Sequence, residues 1–536
     1  MSEFSPNTGS DPKTVVSRCE DVEVSMVRST HAYTDTIKRK SFLKGAAGVA
    51  AGAALASPVA SSITALAEGR DAAGNKPFAG QTLSIAVGSF MVSGVTYAVP
   101  AWEKLTGAKV TVSEIPISDL YTKLTASLSS GGHVYDAIFF AGIWASEFAK
   151  AGWILPLDKY YNQGMERNWP SVLPAVKHEM YIRGKRYTVP LDGDMLLSYY
   201  RTDAIDDPAY QRKFKSQFGY NLQPPQTWTQ FLDTAKFFTG WNWDKTRRPG
   251  YGVLACMKPH DITPWYLFQW AAPYAAFPGK PGSFYFDVKT MKPHINNPAF
   301  VRALTEFVAQ RKYGPQAMLS YGGGDLRGFY VSGHYALAND WADIGIIAQD
   351  PNRSTIKGKL GYFITPGTHE VWDNDKRRWV HFKSAQHAPF LGWGGWQGAI
   401  ASSSKVQDAA FNFLAFLDTP ANALTAVTTP DSARNPYHTD EFNPRLWTNS
   451  SMHFDNPKPY LDTILATFNH PNAQPDLRIP LSGRYYEALD RHIQQAIVHA
   501  TSPQAALDGV YKEWEGITDQ AGRNSQREYY RSIYGL

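Results

Sequence analysis

Three features of this chain predict an α/β fold. From residue 82 onward short apolar runs alternate with helix-like stretches, the rhythm of strand–helix units built on a largely parallel sheet. Loops containing glycine close the apolar runs, as expected where a sheet's strand ends must turn sharply or admit a ligand. The chain is 536 residues long, enough for two or three cores.

The elements follow in order. Residues 82–87 (Thr-Leu-Ser-Ile-Ala-Val) read as a strand ending at Gly88-Ser89. Residues 95–106 read as a helix stopped by Gly107, and residues 109–114 alternate as a second strand. A helix is expected over 120–128, capped by Ser118-Asp119, with Tyr121, Leu124 and Leu128 on one face. Residues 135–140 form a third apolar run, followed by a helix near 146–151. Pro224-Pro225-Gln226-Thr227-Trp228 opens a helix over 230–238. Amphipathic helices are expected at 404–417 and 481–500. In a parallel sheet ligands lie beyond the carboxyl ends of strands, which points to Ser89 and Phe90 and to the Ala141-Gly142-Ile143-Trp144 loop. Plain turn glycines are the alternative reading of both loops.

Composition narrows the function classes. Hydrophobic residues make up 43% and charged residues 19%, ordinary for a folded chain. A net charge of +5 with both signs interspersed gives no polyanion-binding stripe, so a nucleic-acid partner is not expected. Aromatic content is high, with 16 Trp, 29 Tyr and 28 Phe. Two large cores can absorb such rings; the other reading is a cleft lined with flat rings, suited to the C–H-rich face of a sugar.

The N-terminus reads as an address. Arg39-Lys40-Ser41-Phe42-Leu43-Lys44 is similar to a twin-arginine export motif with Lys for the second Arg. A Gly/Ala-rich run follows to Ala56, then Ala65-Leu66-Ala67 as a small-x-small cleavage pattern. We therefore expect residues 1–67 to be an export signal with a preceding extension, cleaved after Ala67, and Met26 is an alternative start. The run is too short and too weakly apolar for a stable membrane span. A soluble, periplasmic mature protein is expected. Of Cys19 and Cys256 it would keep only Cys256, read as a buried small hydrophobe.

Motifs of catalysis are sparse. There is no Gly-x-Ser-x-Gly elbow, phosphate-binding loop or His-Glu-x-x-His. His260, His294, His334 and His387 are scattered and read as structural, so neither metal nor cofactor is expected. Gly322-Gly323-Gly324-Asp325 reads as a flexible loop. Asp192-Gly193-Asp194 brings two carboxylates close, a pattern compatible with Ca²⁺ or a glycosidase but too short to specify either.

A series of segments, in order from Leu83 to about Arg434, resembles the bacterial extracellular solute-binding proteins of ABC importers, in the sugar-binding group akin to maltose-binding protein. Its carriers are residues 121–138, the Phe148–Asp158 stretch ending in Gly152-Trp153-Ile154-Leu155-Pro156-Leu157-Asp158, residues 184–201, Pro225-Gln226-Thr227-Trp228, residues 333–341, Gly394-Gly395-Trp396 and residues 409–414. The resemblance implies a type II periplasmic-binding-protein fold: two α/β lobes joined by a hinge, with the ligand cleft between them. It implies a first lobe of 68–191 plus 366–420 and a second of 192–365 plus 421–536, with crossings near Pro190–Asp194 and Phe363–Gly367. The long tail past 440 and an insert around 371–387 look like departures from the family.

By the same resemblance Asp194 falls where a carboxylate accepts hydrogen bonds from ligand hydroxyls, Trp341 where a ring stacks, and Gly395-Trp396 at a pocket turn. Phe90, Trp144 and Trp265 are candidate wall rings, Ser89 a loop contact, and Arg434 a late arginine reaching hydroxyls or making a structural ion pair. The expected function is capture of a carbohydrate or polyol by hinge closure and delivery to ABC importer permease subunits, without catalysis, by a monomer. The alternatives are a secreted carbohydrate-active enzyme, or a binding protein for an oligopeptide, a polyamine or a phosphorylated polyol.

Overall fold

A computed structural model describes residues 76–162, 168–246, 248–429 and 432–536. The export signal, Cys19 and the cleavage pattern lie outside the described residues. Nine strands form two main sheets: β1 (Thr82–Gly88), β2 (Lys109–Ile115), β3 (Ala137–Ala141), β4 (Val189–Pro190), β5 (Leu196–Arg201), β6 (Tyr251–Leu254), β7 (Tyr335–Trp341), β8 (Leu360–Phe363) and β9 (Trp396–Ile400). The first sheet runs β2-β1-β3-β9-β4 and the second β8-β5-β7-β6.

Sequence explains position within each sheet. β3, Ala-Ile-Phe-Phe-Ala, is buried on both faces and lies centrally, as an uninterrupted apolar run must. β2 carries Thr111, Ser113 and Glu114 and takes the edge, where its polar side chains stay solvated. β1 pairs in parallel with β2 and β3, while β9 returns antiparallel to β3 with Trp396 opposite Ala141. In the second sheet β5 lies antiparallel to β7 with Leu196 opposite Trp341. Gly107 closes the Val99–Thr106 helix with φ +78°, as its position after the last apolar residue predicts.

Several expectations need correcting. The helix expected at 120–128 runs Ile117–Ser129 with Pro116 at its N-cap, so Ser118 and Asp119 lie inside its first turn and do not cap it. The helix expected at 404–417 spans Gln407–Leu417 and is buried all round from Ala409 to Leu417, because it lies under β9 rather than on the surface. The glycine run is no loop: Gly322 caps a helix over Gly323–Tyr330, and Asp325 accepts the Gly322 N–H at 3.1 Å. The 371–387 insert is an antiparallel hairpin, Thr368–Asp373 with Arg378–Gln386, in which Trp372 faces Trp379. Arg302–Glu370 (3.0 Å) and Lys280–Asp373 (2.8 Å) pin it to the second-sheet side. The chain accordingly returns to the first sheet between Leu391 and Trp396, not near Phe363–Gly367.

Residues 191–195 leave β4 for β5 and lie between two other segments. Leu191 N–H donates to Trp396 O (3.0 Å) and Gly193 N–H to Asn435 O (3.1 Å). The tail forms helices Ser482–Ile497, Pro503–Ala521 and Arg523–Ile533. It touches the loop after β3 through Ser482 Oγ to Ile143 O (2.8 Å). It touches the connection between β6 and β7 through Tyr530, whose hydroxyl donates to Gly282 O (2.7 Å) and accepts Tyr285 N–H (3.2 Å).

Candidate functional site

Strands β1 and β3 point their carboxyl ends toward the crossing segments, and the site begins there. Past β1, Ser89 N–H is bonded to Ile115 O at 2.8 Å, which turns half-buried Phe90 toward Trp396; their ring centroids are 4.6 Å apart. Trp396 opens β9 and lies 5.8 Å from Trp393. Trp393 in turn lies 4.5 Å from Trp265 and 6.3 Å from Trp341. Four rings named from sequence, on β1's loop, β9, β7 and a second-sheet helix, are thus joined into one aromatic wall through a fifth.

Two of these rings are held by hydrogen bonds. Trp341 ends β7 and its indole N–H donates to Gly392 O at 3.2 Å. Trp265 lies on the Thr263–Ala275 helix and its indole N–H donates to Asp476 Oδ2 at 2.7 Å. Tyr266, the next residue, packs edge-on to Trp341 and donates to Asp340 at 2.7 Å. Trp144 stands apart: its ring contact is with Tyr121 at 5.2 Å, on the Ile117–Ser129 helix.

The crossing supplies the polar groups. Gly395 has φ +67°, and a Cβ there would lie 2.5 Å from Asp192 O. Gly193 lies equally close to a neighbour, since a Cβ would meet Pro436 O at 2.4 Å. These two glycines let three backbone segments run in contact and fix where Asp192 and Asp194 stand. Asp192 Oδ1 accepts Asn435 N–H, while its Oδ2 is buried with no partner. Burial pushes the Asp192 carboxyl up to about 7. Asp194 is raised well above the ordinary carboxylate range, first by burial and then by the charges of Asp192 and Asp343. Burial and neighbouring like charge both favour the protonated form of these carboxyls.

Arg434 is buried and spent within the chain. It donates to Leu191 O, to Gly94 O at 3.3 Å and to Tyr437 Oη at 3.1 Å. Arg327, the cation nearest the Asp194 side, is paired with Asp340 at 2.6 Å and Asp343 at 3.5 Å. Cys256 is fully buried.

Three residues of the wall escaped sequence reasoning. Trp393 had a signal, since the run Gly392-Trp393-Gly394-Gly395-Trp396 places a second indole between glycines. Asp476 and Tyr486 had none: they lie in the tail and reach the wall only through folding. Tyr486 stacks on Trp265 at 4.2 Å and 7° between planes, and its hydroxyl donates to Asp476.

The chain is similar to known proteins over most of the described residues. The mannitol-binding protein of Pseudomonas aeruginosa is 22% identical over 301 residues, 55% of this chain and 58% of that protein, so the match spans less than two thirds of that relative's length. A solute-binding protein of Agrobacterium radiobacter K84 crystallised with ribitol superposes with a TM-score of 0.66 at 21% identity, covering 82% of this chain and 100% of its own. Maltose-bound MalE3 of T. maritima superposes with a TM-score of 0.63 at 18% identity, covering 81% and 99%. The architecture is that of type II periplasmic solute-binding proteins, two α/β lobes around a cleft. The pattern of the bacterial extracellular solute-binding proteins matches residues 91–424, well over half of the chain, and the protein belongs to that family.

Proposed function

We propose that this protein is the solute-binding component of an ABC importer and captures an uncharged sugar or polyol between its two sheets. The carrying observation is the wall formed by Phe90, Trp396, Trp393, Trp265 and Trp341 beside the Asp192–Asp194 pair. Flat rings bury the C–H face of such a guest, at about 25 cal/mol per Å² of apolar surface. Two buried carboxyls whose protonated forms are favoured can donate to a ligand hydroxyl as well as accept from one, which suits groups that must be matched in both senses. A phosphorylated polyol is the weaker reading, because Arg434 and Arg327 are already engaged by the chain. The relatives that bear on this are the mannitol-binding protein and the ribitol complex, both named for polyols.

In this reading Ser89, Phe90, Trp265, Trp341, Gly395, Trp396 and Asp194 line the ligand, Trp144 lies at the rim, and Arg434 props the crossing from beneath. The segments 191–195 and 391–395 bend as the lobes close. The closed form then docks on the permease subunits outside the cell membrane, after export directed by residues 1–67. Among the described residues no helix is long and apolar enough to cross a membrane. The protein holds its guest and returns it unchanged.

A calorimetric screen of D-mannitol, ribitol, maltose and related sugars, with mass spectrometry of any co-purifying molecule, tests the reading. Saturable binding of a polyol or sugar that is lost in Trp396→Ala and weakened in Trp341→Ala is expected. Binding confined to a peptide, polyamine or phosphorylated compound overturns it, and turnover of an oligosaccharide that vanishes in Asp194→Asn would instead mark an enzyme.

A further inference from the structure

We infer that Trp393 is a specificity-determining residue of the cleft, donating its indole N–H to a ligand hydroxyl, and that Asp476 is the positioning residue that aims it. The inference rests on the sugar or polyol reading above and adds the donor and its support from the tail.

Trp393 occupies a single tight turn, Gly392–Gly394, with φ +78° and ψ −23°. A residue with a bulky side chain rarely adopts that left-handed region, and its presence calls for an outside restraint. Asp476 supplies one. Its Oδ2 accepts the Trp393 backbone N–H at 2.5 Å and the Trp265 indole N–H at 2.7 Å. Its Oδ1 takes the Tyr486 hydroxyl and the Leu477 N–H. One buried carboxylate from the tail thus fixes the turn that carries Trp393, the ring beside it and the ring behind that.

The ring so placed touches Trp265, Trp341 and Trp396 together. The indole N–H groups of Trp265 and Trp341 are already engaged, whereas that of Trp393 is buried with no acceptor. A buried donor without a partner is costly, and a guest oxygen arriving at this position recovers that cost on binding. Trp228 and Trp243 also have unmatched indole N–H groups. They lie elsewhere, Trp228 stacked on Trp270 at 3.8 Å and Trp243 against Phe238 at 5.3 Å, and neither joins the wall. Trp393 itself is only half-buried, so part of its ring remains available to a guest.

The test compares wild-type protein with Trp393→Phe, which keeps an aromatic ring and removes the N–H, using D-mannitol, ribitol and single-deoxy mannitols as probes. Trp393→Phe is expected to bind D-mannitol about tenfold more weakly, the loss of one buried hydrogen bond. The wild-type advantage should disappear for one deoxy analogue, the one lacking the accepting hydroxyl, and persist for the others. In ¹⁵N-labelled protein the Trp393 indole resonance, identified by its loss in Trp393→Phe, should shift on mannitol addition. In Asp476→Asn that response should weaken, while the indole of Trp102, bonded to Asn412 at 2.9 Å, stays unmoved. Equal affinity of wild type and Trp393→Phe, or one constant ratio across all deoxy analogues, overturns the inference. Failure of the wild type itself to bind any of these probes, or any sugar of the calorimetric screen, overturns the sugar and polyol reading as well, and is told apart because it needs no variant to be seen.

Discussion

The indole of Trp265 lies flat on the phenol ring of Tyr486, 4.2 Å between centroids, and both rings donate to the one carboxylate of Asp476. A wall residue on a second-sheet helix is thereby held by two residues more than 200 positions later in the chain. The tail completes the site from behind, and the consequences can be measured.

Replacing Gly395 by Ala should open the crossing. The new methyl meets Asp192 O at 2.5 Å, in a backbone conformation with φ +67° that disfavours any side chain. The expected loss is well over about 1 kcal/mol, seen as a lower urea midpoint, and ligand affinity falls with it because Asp194 moves.

Arg434→Lys should destabilise without adding a charge defect. Lysine cannot serve Leu191 O, Gly94 O and Tyr437 Oη at once, and a buried carbonyl left without a donor costs about 1–3 kcal/mol. Thermal unfolding of the variant reads this directly. Retention of full stability would mean that the arginine does not support the first crossing.

Stability should fall as pH rises between about 4 and about 7. Asp192 and Glu179 are each pushed up to about 7 by burial, and Asp194 is raised too. In that window the folded chain binds more protons than the unfolded one, so the stabilisation present below the ordinary carboxylate range is lost through neutrality. Denaturant titrations across pH should show the slope, and Asp194→Asn should flatten it by removing one of the three groups.

Tyr530→Phe should loosen the tail. The lost hydroxyl leaves the Tyr285 and Phe286 N–H groups without their acceptor and Gly282 O without its donor. A cost of about 1–3 kcal/mol is expected, with faster proteolysis of the last helix. Because that helix lies behind the Ser482–Ile497 helix that carries Tyr486, polyol affinity should also drop, though less than in Trp393→Phe.

Local pattern carried much of this protein. The strands at 82–88, 109–115 and 137–141 and the glycine stop at 107 follow from apolar runs, alternation and turn residues, which act between near neighbours in sequence. Phe90, Trp265, Trp341 and Trp396 could be singled out because each sits at a strand end, at a turn, or in a segment that resembles the family. What local pattern could not convey is pairing across distance. That Trp393 joins those rings, that Asp476 and Tyr486 fasten them, that Arg434 spends its donors on Leu191 and Gly94, and that the second crossing falls at 391–395 all depend on segments 40 to 340 residues apart meeting in one place. Burial and hydrogen-bond satisfaction choose those partners, and they act only once the two sheets and the tail have closed on one another.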